Sequence, residues 1–192
     1  VSLPQEVLDS PFGEALRLRP MLLGALFKTL GGPDVPLFSL NAAKRTYLAH
    51  DIKRQSEELN YPLSWPSRFP MRTILPLRAC LAAGVDGTPE ARAFVQGLFR
   101  AYWCEDRDIS QPTVVIDVAD AAGLDGQGLV EATQDPAIKN ALKEATGAAA
   151  EAGVFGAPTA VVHRPGADPS LFWGVDRLEL AALCARGDSR VA

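Results

Sequence analysis

Histidine is scarce and cysteine nearly so: the 192 residues contain only His50 and His163, with Cys80, Cys104 and Cys184. Ligands so few and so far apart exclude a zinc centre built from closely spaced cysteine and histidine. The cysteines are odd in number and form no CxxC pair, which argues against a disulfide framework and for a reducing compartment. No GxSxG occurs, so a serine-hydrolase elbow has no support. No apolar run reaches the roughly 20 residues of a membrane helix, and no charged-then-apolar leader opens the chain. A net charge of −4, from 19 basic and 23 acidic side chains, leaves no basic stripe to grip nucleic acid. The expectation is a cytoplasmic protein with neither nucleic acid nor membrane as partner.

What is present is an ordinary globular composition, 47% hydrophobic and 22% charged. That is enough for one large domain or a core with an inserted subdomain. Residues 2 to 10 fit a helix whose first turn tolerates Pro4, with Gly13 as its stop. In LRLRP, Leu16 and Leu18 alternate with Arg17 and Arg19 as far as Pro20, the period of a strand with one covered face. LLGALFKTLGGPDVP reads as a short helix, then an exposed loop broken at Gly31, Gly32, Pro33 and Pro36. From Leu40 to Leu59 the period is helical, with Tyr47, Leu48 and Ile52 on one side.

YPLSWPSRFPMRT follows as a proline-broken loop and ILPLRACLAAG as a short helix. TPEARAFVQGLFRAYW is a strong helix, capped by Thr88, opened by Pro89, and lined on one face by Phe94, Val95, Leu98, Phe99 and Tyr102. Further helices are expected from Pro112 to Ala122 and from Pro136 to Ala152. GLDGQGLVE, between them, reads as a helix end and loop, since it lacks the third glycine and the preceding strand of a phosphate loop. TAVVH, the turn RPGADPS and LFW form an antiparallel hairpin. Asp176 with Glu179 resembles a capping box opening a last helix that ends near Gly187. This order fits an α/β, thioredoxin-like fold with a large all-helical insertion, among several candidates. Residues 1–36 and 153–192 would form the thioredoxin-like part and 37–152 the insertion.

Ala157-Pro158 stands directly before the β-formers Thr159 to Val162, although proline cannot donate to a ladder. One reading is a trans proline blunting an edge strand. The other is a cis proline that turns the N–H and C=O of the preceding residue outward, where a small peptide can pair with them as an added strand.

GVFGAPTAVV followed by LFWGVDRLEL, with RPMLLGALFK near the start and AYWCEDRDIS in the helical block, resembles the 2-hydroxychromene-2-carboxylate isomerase family. That family is similar to kappa-class glutathione transferases within the DsbA-like group, and the resemblance runs from residue 1 to about 186. It implies a homodimeric, glutathione-dependent cis-trans isomerase of aromatic catabolism, in which the cofactor thiolate adds to a small aromatic carboxylate substrate, permits rotation and leaves. It implies that Ala157 and Pro158 clamp the main chain of glutathione, that Trp173, Gly174, Asp176 and Arg177 surround it, and that Lys28 meets the substrate carboxylate. Each has a plainer account: Asp176 as an N-cap, Trp173 as core, Arg177 in a surface ion pair, Lys28 as a solvated helix lysine.

Val175 departs from the family, which has a polar amide residue there, and removes a potential hydrogen bond to glutathione. The family also opens with a strand, roughly FDFxSPY, whose serine activates the thiol; Ser2 and Ser10 do not replace it. Losing a central strand would leave its neighbours about 10 Å apart, so the expectation is that about a dozen residues, the activating serine among them, precede Val1. Two further readings are a DsbA-like thiol-disulfide oxidoreductase or kappa-type transferase, and a non-catalytic glutathione or peptide binder.

Overall fold

A computed structural model describes residues 16–33, 35–85, 87–188, 190 and 191. The helix expected at residues 2 to 10, with its stop at Gly13, lies outside them. In chain order the elements are α1 (Leu23–Thr29), a 3-10 turn (Pro36–Ser39), α2 (Ala42–Glu58), α3 (Ile74–Ala82), α4 (Pro89–Trp103), α5 (Pro112–Ala121), α6 (Gly126–Ala132) and α7 (Pro136–Glu151). There follow β1 (Thr159–Val162), β2 (Ser170–Trp173), a 3-10 turn (Val175–Arg177) and α8 (Leu178–Ala185).

The punctuation of the helices is chemical. Thr88 accepts the Ala91 N–H at 3.1 Å and Pro89 follows it, so a donor is satisfied where proline supplies none. Asp135 and Pro136 repeat the device, the carboxylate accepting the Ala137 N–H at 2.7 Å. Each cap stops a chain that would otherwise continue as loop, and the helices it starts pack together. Phe94, Leu98, Ala79, Val115 and Ala119 form one buried cluster shared by α3, α4 and α5. Buried Thr146 of α7 donates to Leu142 O and accepts the Leu22 N–H at 3.0 Å, tying the entry of α1 to the helical layer.

Four expectations are corrected. Residues 16–20 alternate in burial as their period requires, and Leu18 packs on the helical core, yet the secondary structure of the described residues includes no strand there. On α4 the covered face is Ala91, Phe94, Leu98, Ala101 and Tyr102, while Phe99 is 42% exposed. On α2, Tyr47 and Ile52 stay exposed and no residue is buried.

The fourth is α6, which occupies part of GLDGQGLVE where a helix end and loop are expected. Asp125 caps it by accepting the Gly128 N–H at 2.9 Å, and the Asp120 carboxylate accepts the Gly126 N–H at 2.9 Å. Gly126 is there for proximity: a Cβ would stand 2.6 Å from Ile116 O and 2.8 Å from Ile116 Cα, backbone of α5 that cannot swing aside. Gly126→Ala is therefore expected to lose about 1–3 kcal/mol in urea unfolding. Gly147→Ala on α7, where a Cβ meets no atom within 4 Å, should gain about 0.5–1 kcal/mol from helix propensity. Equal effects of the two substitutions would refute the close-approach account.

The hairpin pairs Thr159 with Trp173, Ala160 with Phe172, Val161 with Leu171 and Val162 with Ser170, antiparallel. Because side chains alternate across a strand, Ala160, Val162 and Phe172 share one face. That face packs on Ala181 and Cys184 of α8. The opposite face carries Trp173, and so places it at the start of β1.

Candidate functional site at the mouth of the hairpin

The site is built by the turn that enters β1. The Ala157–Pro158 peptide bond is cis, as is Phe69–Pro70. Thr159 donates its hydroxyl to Gly156 O at 2.7 Å, and the Gly174 N–H donates to Pro158 O at 3.0 Å, so both flanks of the turn are held. Between them Ala157 is exposed, and its own N–H and C=O take part in no hydrogen bond among the described residues. An unpaired amide at the end of a ladder offers a peptide one donor and one acceptor in strand geometry.

Beside it stands Trp173, 55% exposed, its ring centroid 5.2 Å from that of Phe155, which is 52% exposed. Gly156 makes this approach possible: a Cβ on it would lie 2.5 Å from Trp173 Nε1. Gly174, at φ +106°, reverses the chain after β2 and brings Asp176 back against it. The Asp176 carboxylate pairs with the neighbouring Arg177 guanidinium at 3.0 Å, both largely exposed.

Ala157, Pro158, Trp173, Gly174, Asp176 and Arg177 thus meet at one end of the hairpin. Lys28 is exposed in the last turn of α1, which packs on α7, and no hydrogen bond, ion pair or ring contact joins it to the hairpin. Asp176 caps no helix: the 3-10 turn intervenes, and the residue preceding α8 is Arg177. Val175 is half-buried in that turn. The sequence reading passed over Phe155, although an exposed aromatic two residues before Ala157-Pro158 was the available signal.

The thiols stand apart in reactivity. Burial pushes the Cys80 thiol up to about 12, and Cys184 is wholly buried. Cys104 is half-buried near Tyr61, whose hydroxyl is pushed up first by burial and then by that thiol. A thiol reagent such as dithionitrobenzoate should therefore label Cys104 alone in the native protein and all three residues only in denaturant. Native labelling of Cys80 would contradict the packing of α3.

A family model described as a DSBA-like thioredoxin domain matches residues 6–183. The chain belongs to the DSBA-like thioredoxin family. It is 31% identical over 175 residues to "Glutathione S-transferase kappa 1" of Homo sapiens, covering 87% of this chain and 76% of that protein. It is 30% identical over 129 residues to "2-hydroxychromene-2-carboxylate isomerase" of Sphingobium xenophagum, covering 67% of this chain and 62% of that protein. A solved 2-hydroxychromene-2-carboxylate isomerase structure matches at TM-score 0.74 and 24% identity, over 98% of this chain and 90% of that one. The fold of this DSBA-like chain is accordingly thioredoxin-like with a helical insertion, and the resemblance read from its four motifs holds. Its named relatives are isomerases and glutathione transferases.

Proposed function

We propose that the protein is a glutathione-dependent cis-trans isomerase of the 2-hydroxychromene-2-carboxylate type, acting on a small aromatic carboxylate in aromatic catabolism. The exposed, unpartnered main chain of Ala157 beside the Trp173 ring carries this reading. Those groups fit a tripeptide: Ala157 binds its backbone as an added strand, and Trp173 with Phe155 covers its apolar part. The indole N–H of Trp173 and the Arg177 guanidinium provide donors for its carboxylates. Bound glutathione would supply a thiolate nucleophile for reversible addition to the conjugated substrate.

In this reading Pro158, Gly174 and Asp176 position the clamp, with Asp176 orienting Arg177 through their ion pair. Residues 37–152 form the helical insertion, residues 1–36 and 153–192 the thioredoxin-like part, and the protein works in the cytoplasm as a homodimer. A kappa-type transferase is the second reading, favoured by the greater share of this chain that aligns with the human relative. Calorimetry with glutathione should give saturable binding. Absorbance should then follow glutathione-dependent interconversion of 2-hydroxychromene-2-carboxylate. Conjugation of an activated aryl halide without that interconversion would select the transferase, and binding without either activity a non-catalytic role. Absence of glutathione binding would sink all three.

A further inference from the structure

Outside the hairpin, the helical layer carries an open pocket of about 280 Å³ where α3, the loop before α5 and the end of α6 meet. None of its lining residues belongs to the site described above. Two arginines face it, Arg72 just before α3 and Arg78 within α3. The Arg78 Nε is removed from solvent and has no hydrogen-bond partner. Among the described residues neither guanidinium forms an ion pair; Arg72 is exposed, but Arg78 is half-buried, and a guanidinium taken from water is ordinarily matched to a carboxylate or phosphate. Asp108, two residues before the lining residue Ser110, is already engaged by the Ser110 hydroxyl at 2.6 Å and by Arg68 at 3.5 Å.

The remaining lining narrows the ligand. Ser110 spends its proton on Asp108, and Thr133, at the pocket floor, donates to Val130 O at 2.6 Å. Neither hydroxyl is left to donate and the Gln134 amide donates to Thr133 Oγ1 at 3.4 Å, so outside the two guanidinium groups the pocket lacks the dense donor array that a phosphate, with its many acceptor oxygens, requires. It has instead two planar forks and an apolar wall, Ile74 and Leu75. A fork matches the two oxygens of a carboxylate, and the wall matches an uncharged body attached to it. The geometry points to a binding site for a small monocarboxylate with an apolar body, gripped by Arg78 and Arg72 and lying against Ile74 and Leu75.

The probe is sodium benzoate, titrated into the full chain and followed by amide shifts along α3, with benzamide and inorganic phosphate as companions. Saturable shifts are expected with benzoate and none with benzamide, whose shape is the same but whose charge is absent. Arg78→Met should weaken benzoate by about tenfold or more. Arg72→Gln, at an exposed position, should weaken it severalfold. Trp173→Ala should leave it unchanged, which separates this pocket from the proposed glutathione site. Equal shifts with benzamide, tighter binding of phosphate than of benzoate, or full affinity in Arg72→Gln would each overturn the assignment.

Discussion

Phe94→Ala is expected to lower the unfolding free energy by about 3–5 kcal/mol. Phe94 heads the largest wholly buried side chains. It sits in the cluster that joins α3, α4 and α5, with Ala79, Leu98, Val115 and Ala119 around it. Small neighbours cannot lengthen to refill the space, and the helices that carry them are fixed by other contacts, so the cavity would persist. Against a total stability of about 5–15 kcal/mol, one such loss is large. The control lies on the same helix: Phe99, 42% exposed, should cost under about 1 kcal/mol when cut to alanine. Urea midpoints of the two variants, with unchanged slopes, measure the difference. Similar midpoints would mean that the covered face of α4 has been assigned wrongly.

That pair of phenylalanines also shows where sequence reading reached its limit. Thr88-Pro89 and Asp135-Pro136 announce helices because the cap and the missing donor act within a few residues, and no distant partner is needed. Five residues of α4 were placed on one face by counting, but two turns of helix do not say how wide the neighbour is. The covered face takes in Ala101 instead of Phe99.

Nothing local marks Gly126 as the start of a helix, since glycine's helix propensity is poor; its place is set by the backbone of Ile116, ten residues earlier in sequence and adjacent in space. The alternation of LRLRP is seen as alternating burial. At the site, Ala157-Pro158 and Trp173-Gly174 were legible because the turn and the register of a short hairpin bring them together locally. Lys28, more than a hundred residues earlier in the chain, had only a motif to place it there, and no contact of the structure does.

The second large effect tests the site itself and rests on the proposed glutathione role. Trp173→Ala should raise the dissociation constant for glutathione about tenfold, equivalent to about 1.4 kcal/mol. With 55% of the side chain exposed, the ring has apolar surface still open to a ligand, while its folding contribution is confined largely to the pair with Phe155. Such a pair is worth about 0.5–1.5 kcal/mol, so binding should suffer while the fold survives. Gly156→Ala gives a second view without deleting the indole: its Cβ would intrude to 2.5 Å from Trp173 Nε1 and turn the ring off the clamp. Both variants should therefore lose glutathione affinity, with near-native thermal unfolding in Trp173→Ala. If glutathione binds Trp173→Ala as tightly as the unaltered protein, the aromatic wall plays no part in recognition, and the Ala157 amide groups alone would have to account for it.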